Sequence, residues 1–274
     1  MDADHRVVAL EGLRAAPWLV GLLGLAVGGA GFLNGDVAAY CAQAWAGDLW
    51  ERPVHVGYVA LAWSLAALGP ALPRALDAVS AAAGVSLVAA GRGEGRWVAA
   101  GAVLPWVAFA EVDLPWMALV AAATRPMPGW AAAALLGFAV TVSPTAALAA
   151  PWVAVERADR RVLMGPFLAI VALGLASEGG WWSGERGVFH APQLPGRTAA
   201  AWLGSGVWAA MLIVRDRRLA ALAPLLLAPP DVPGWVLFGV AAARRWPAGG
   251  FARGLAIAAV VAGLWGLGER RAWV

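Results

Sequence analysis

Nine stretches of 15 to 23 residues, each almost free of charge, constrain this chain more than anything else in it. They cover residues 15–33, 56–72, 75–91, 97–111, 130–152, 162–178, 199–214, 219–241 and 252–268. A helix needs roughly 20 apolar residues to cross a hydrocarbon core about 30 Å thick, and the stretches are close to that length. Segment 113–124 is apolar but short, and Pro229-Pro230-Asp231 interrupts 219–241. Charged residues make up 14% of the chain, against about 25% in a soluble domain. The expectation is an all-α, polytopic membrane helix bundle of about eight to ten crossings, forming one membrane domain over residues 1–274.

The few charges orient such a bundle. All twenty basic residues are Arg, a preference that matches GC-rich coding and carries no functional weight. By the positive-inside rule, Arg6 and Arg14, Arg157 with Arg160 and Arg161, the 215–218 run, and Arg270-Arg271 read as cytoplasmic. The N-terminus is then cytoplasmic, its first span retained, and the loops 34–54 and 179–197 face outward. With Arg92 and Arg96 also cytoplasmic, the run 97–111 returns outward and brings Glu111 and Asp113 to the side of Asp36. The formal charge of +3 is spread over loops, unlike the clustered basic face of a nucleic-acid binder. A single cysteine, Cys41, excludes an intramolecular disulfide and a cysteine metal cluster. Trp18, Trp97, Trp130, Trp152, Trp181, Trp182 and Trp273 stand near span ends and read as interfacial anchors.

Two places gather polar groups. Asp36, Tyr40 and Gln43 are spaced four and three apart, so a helix starting near Val37 carries them on one face. Asp36 after Asn34-Gly35 is equally a good N-cap for that helix. Arg52, His55 and Tyr58 follow at the entry to the next span. The second place is Glu111 and Asp113, two carboxylates in an otherwise apolar stretch, where such groups face a cavity or a partner, or simply a wet turn. No phosphate-binding Gly-Lys-Ser/Thr, Gly-x-Ser-x-Gly, His-Glu-x-x-His or Cys-x-x-Cys motif occurs. Gly24-x-x-x-Gly28 and Ala262-x-x-x-Gly266 suit close helix packing.

The order of motifs is a first span, Gly35-Asp36-x-x-x-Tyr40, then Pro53-x-His55-x-Gly57-Tyr58, then Ala110-Glu111-Val112. It resembles the membrane core of the GT-C superfamily, the glycosyltransferases that use polyprenyl-phosphate sugars, and within it the bacterial relatives of protein O-mannosyltransferases. Gly137 to Ser143-Pro144-Thr145 resembles a later turn of that core. The resemblance spans residues 15–155 of a chain shorter than the family's usual members, leaving 156–274 as additional transmembrane helices. It implies Asp36 and Glu111 as the catalytic carboxylates, with Asp113 standing where the family commonly has Tyr. It also implies a lipid-linked sugar donor and an outward-facing site in a bacterial inner membrane. Tyr40, Gln43, Arg52, His55, Tyr58, Asp113, Arg186, His190 and Arg197 are the substrate-binding candidates, the cationic ones for the departing phosphate. The cofactor stays undefined, with a divalent metal one option. The partners are the polyprenyl-phosphate sugar, membrane lipids and an optional protein partner, without nucleic acid. Two alternatives remain: a non-catalytic scaffold or lipid-binding subunit of the same fold, and a small transporter. A transporter places ionisable groups near mid-membrane, whereas here only Asp77 and Asp231 fall well inside a span.

Overall fold

The computed structural model describes residues 15–26, 35–50, 55–107, 113–177, 213–214, 216–227, 234–246 and 250–271, and every regular element among them is helical. In chain order these are α1 (Ala15–Ala26), α2 (Gly35–Ala46), α3 (Val56–Ser64), α4 (Leu72–Ala89), α5 (Gly95–Val103), α6 (Asp113–Ala123), α7 (Gly129–Val142) and α8 (Ala146–Arg157). They continue with α9 (Met164–Ala176), α10 (Gly234–Ala243) and α11 (Gly250–Arg271). Three 3₁₀ segments, Ala66–Ala71, Arg160–Leu163 and Arg217–Leu227, join or extend them.

Several of the expected spans are broken, each for a local reason. Stretch 130–152 divides into α7 and α8 at Ser143-Pro144-Thr145, where Ser143 turns to extended backbone and Pro144 has no N–H to continue the ladder. Stretch 56–72 leaves the α-helix at Leu65 and kinks at Gly69, whose φ of 53° suits glycine. Stretch 219–241 is a 3₁₀ segment followed, after residues outside the description, by α10. Among the described residues one helix, Ala66–Ala89 taken through its kink, is long and apolar enough to cross a membrane.

The pairing of helices places them in a row, α9–α7–α6–α4–α5–α11, with α8 and α10 against its flank. The short α6 lies in the middle and buries Leu114, Pro115, Trp116, Met117 and Val120; a helix apolar on all sides belongs in such a place. The row's ends are different. α9 leaves Phe167, Leu168 and Leu175 exposed, and α11 leaves Ile257, Val261 and Trp265 exposed.

Close backbone contact fixes the row. A Cβ at Gly165 of α9 would overlap the carbonyl of Ala133 in α7, and one at Gly137 would lie 3.0 Å from the Gly165 carbonyl. Gly101 of α5 meets the Ala259 backbone of α11, and Gly263 of α11 meets Gly101 in return. Gly24 of α1 and Gly84 of α4 close around Val107, Val20 and Ala81 in the same way. Such glycine-lined crossings are how helices associate where apolar burial offers no driving force.

Chain direction through the row separates two poles. At one, Arg157 donates to the carbonyls of Ala123, Arg125 and Met127, closing the end of α6, where helix carbonyls have no internal partner. The Asp159 carboxylate lies against Gly129 at the start of α7 and accepts from the Arg161 N–H at 3.0 Å. Arg245 bridges Asp216 at 2.6 Å and Glu156 at 2.8 Å. The Arg92 N–H donates to the Ala243 carbonyl at 3.1 Å, and Arg253 pairs with Glu94. Arg92, Arg157 and the 216–218 turn therefore share one pole, as charge placement suggested. Two readings change. α11 starts at this pole and runs parallel to α5, so its 22 residues, about 33 Å long, carry Arg270 and Arg271 away to the other end. Trp152 is fully buried rather than interfacial, with the Arg244 guanidinium 5.8 Å from its ring centre.

Gly165→Ala should lower the melting temperature of the purified protein, because overpacking by about 1–3 kcal/mol exceeds the gain in helix propensity of roughly 1 kcal/mol. Gly254→Ala, with open space around the new methyl, should raise it; equal responses would mean the crossing is not tight. At the arginine pole, burial raises the Asp216 carboxyl, but hydrogen bonds from the Arg245 side chain and the Arg218 N–H, with both charges, bring it below the ordinary carboxylate value. The stability this contributes is present above about pH 4 and is lost as pH falls through the depressed folded value. Melting curves from pH 7 to 2 should show Asp216→Asn flattening that acid limb. At neutral pH the variant should lose a few tenths to about 1 kcal/mol, since Arg245 is partly exposed and screened.

Candidate functional site

The opposite pole holds the candidate site. α2 begins at Gly35, about two residues earlier than the spacing suggests, so Asp36 falls in its first turn and Tyr40 and Gln43 follow at helical spacing on one face. The Asp36 side chain lies outside the described residues. Tyr40 is buried, and its ring packs edge-on against His55 at 5.6 Å and Tyr58 at 5.4 Å between centroids. The chain has two tyrosines, and both are committed to this contact between α2 and α3.

The local sequence explains how α3 reaches this position. His55 Nδ1 donates to the carbonyl of Val142 at 2.8 Å; since a carbonyl only accepts, Nδ1 carries the proton and a neutral ring keeps its lone pair on Nε2. Val142 is the last residue of α7, and its carbonyl is one of those a helix end leaves without an internal partner. Gly57 lets α3 close onto α7, for a Cβ there would lie 2.8 Å from the Thr141 carbonyl carbon. Tyr58 is fully buried beside them. Each part of His55-x-Gly57-Tyr58 thus has a packing task at the α7 terminus. Ser143 and Thr145, in the turn that follows, are nearly buried next to it.

Gln43 is the anomaly. It is 2% exposed, and neither its amide nitrogen nor its carbonyl oxygen has a hydrogen-bond partner. Leaving such a group unsatisfied costs about 1–3 kcal/mol. On the other edge of α2 the buried Cys41 thiol lies within electrostatic reach of Asp77. Asp77 is 6% exposed in α4, and no hydrogen bond or ion pair to it is made among the described residues. The fully buried Ser80 hydroxyl, one turn further along α4, has no partner either. Sequence reading passed over Asp77 and Ser80 as site residues, although a lone carboxylate inside an apolar run is itself the signal.

Asp113 opens α6 at this same pole and accepts from the Trp116 indole at 2.7 Å. Its backbone therefore lies on the side that carries Tyr40 and His55. Glu111, Arg52, Arg186, His190 and Arg197 lie outside the described residues. Among the described residues no three His, Cys, Asp or Glu side chains gather as a metal site would require. What the described part of the site offers is a buried aromatic cluster, an imidazole anchored to the α7 terminus and a carboxamide with no hydrogen-bond partner. No protein-family model matches the chain, and no curated protein or solved structure matches it.

Gln43→Leu should separate packing from ligand binding. Removing two unpaired buried polar atoms at similar volume should raise stability by about 1–2 kcal/mol, read as a higher melting temperature. A lower one would mean that the carboxamide is satisfied in the folded protein.

Proposed function

We propose that the chain is a membrane-embedded helix bundle that transfers a sugar from a polyprenyl-phosphate donor to a hydroxyl acceptor on the non-cytoplasmic side. The observation that carries this reading is the meeting of Tyr40, His55 and Tyr58 at the pole opposite the arginines, on the helix whose first turn holds Asp36. The exposed apolar faces of α9 and α11 support lipid as the surrounding solvent, since soluble surfaces rarely expose contiguous apolar patches of that kind. With the arginine pole cytoplasmic, α2, α3 and Asp113 face the outer leaflet, where a lipid-borne phosphate can reach them.

The chemistry follows from the residue types. The Asp36 carboxylate takes the proton of the acceptor hydroxyl as its oxygen attacks the anomeric carbon, and the bond from that carbon to the phosphate oxygen breaks. The electron pair leaves on the polyprenyl phosphate, whose charge needs cationic or hydrogen-bonding help. Arg52, His55, Arg186, His190 and Arg197 are the candidates for it, and Glu111 is the second carboxylate. Tyr40 and Tyr58 are buried and hold α2 against α3 behind this surface, and the buried Gln43 leaves one donor and one acceptor to be met.

A non-catalytic, lipid-binding subunit is the second reading. It is favoured by one finding: His55, Gly57 and Tyr58 all have sufficient structural employment without any substrate. Asp36→Asn distinguishes the two. In proteoliposomes supplied with labelled polyprenyl-phosphate sugars, the wild type should transfer label and the variant should lose at least about 100-fold, within the range of a lost general base, with its melting temperature unchanged. Equal transfer by both proteins removes Asp36 from catalysis, and a parallel loss of folding assigns it to the start of α2.

A further inference from the structure

The arginine pole is more than an orientation signal, because three connections that carry Arg92, Arg125 and Arg244 are tied together there. The Arg92 N–H bonds the Ala243 carbonyl, joining the α4–α5 turn to the residue before Arg244. A Cβ on Gly95 would overlap that same carbonyl, so the join is close. The Arg244 guanidinium bonds the Thr124 hydroxyl, joining the end of α10 to the turn that carries Arg125. Arg244 is half-buried, with the face of Trp152 beneath it. Arg92 and Arg125 are exposed, and among the described residues neither guanidinium makes a hydrogen bond or ion pair.

The carboxylates nearby bind other arginines, although one buried oxygen of Glu94 has no partner. Glu156 and Asp216 both bind Arg245, and Glu94 binds Arg253. Burial, together with repulsion from Arg125, Arg245 and Arg92, holds the Arg244 pKa below its ordinary value against the pull of Glu156. The cluster is thus short of negative charge. A guanidinium presents a planar fork of donors that matches a phosphate, and these three stand on turns that are joined to one another.

We propose that Arg92, Arg125 and Arg244 bind the phosphate of an anionic phospholipid headgroup at the cytoplasmic leaflet, with Arg244 as the floor and the two exposed arginines as the walls. The site is separate from the pole of Tyr40 and His55, and it rests on the reading of the chain as membrane-embedded. Its occupant would join the α4–α5, α6–α7 and post-α10 turns through one shared anion. Basic pockets between helices on this side of a membrane recognise such headgroups.

The test uses the full-length protein in detergent, by native mass spectrometry and thermal melting, with phosphatidylglycerol, phosphatidylcholine and inorganic pyrophosphate added in separate arms. Phosphatidylglycerol should remain bound and raise the melting temperature, while the other two do neither. Arg92→Gln and Arg125→Gln should each weaken that binding roughly fivefold, and together roughly twenty-five-fold. Arg74→Gln, an exposed arginine near the start of α4 and hence at the far pole, should leave it unchanged. Equal retention of both lipids overturns the proposal, as does an equal loss on Arg74→Gln. Stabilisation by pyrophosphate alone would replace the lipid with a soluble phosphate ligand and overturn it also. Membrane fractionation of the wild type is read independently: a protein that sediments with bilayers but ignores phosphatidylglycerol loses this site alone, whereas one that stays in the soluble fraction loses the membrane reading itself.

Discussion

Backbone-to-backbone contact at glycine is the constraint from which the rest of the structure follows. Gly165 and Gly137 hold α9 on α7, and Gly101 and Gly263 hold α5 on α11. Gly57 holds α3 on α7, and Gly95 holds the start of α5 against Ala243. Side-chain hydrogen bonds between elements are described mainly at the arginine pole, so they do not by themselves hold the helices along their length. Close approach does so instead, through dispersion along the contact and Cα–H···O contacts to facing carbonyls. Each crossing is also a register: a one-turn slip of α9 on α7 would set Ala169 or Leu168 where Gly165 now meets Ala133, and neither fits. The two poles stay distinct because these registers do.

The sequence made the helical class and the pole assignment legible because both depend on quantities it prints directly. Hydropathy marks the helices, and the positions of Arg92, Arg157 and Arg217 mark the pole they share. The Asp36-Tyr40-Gln43 face and the His55-Tyr58 turn were likewise readable, since helical spacing alone brings each set together. Their meeting was not. It needs the Val142 carbonyl as an acceptor and Gly57 as a gap, and both depend on where α7 ends. That end is written as Ser143-Pro144, a signal that the hydropathy of 130–152 overrides when it is averaged across the break. Trp152 misled for a related reason. Its place near a span end suggested an interface, whereas Arg244, distant in sequence, covers it. Arg270-Arg271 followed the charge rule on paper, but the direction of α11 is set by Gly101 and Arg253, which no local reading of its end contains.

α2 is seated differently from the other helices. Its aromatic contact through Tyr40 is complete, yet Gln43 on one edge is buried without partners. On the other edge Cys41 faces an Asp77 that has none among the described residues. Unsatisfied polar groups oppose folding, and natural chains retain such conflicts mainly where function requires them. Two of them bordering one short helix concentrate the cost there. The helix is attached to the row through α3 and α4.

The poles therefore divide the work of the molecule by how fully their polar groups are used. At the arginine pole Arg157 closes three carbonyls, Asp159 holds the next turn, and Arg245 binds two acids from different segments. The demand left there is for anionic charge. At the α2 pole the demand left is for hydrogen bonds to neutral donors and acceptors, those of Gln43 and Ser80. Incomplete satisfaction is thus specific: it names the chemistry that would complete it, and the two poles of this helical row name different ones.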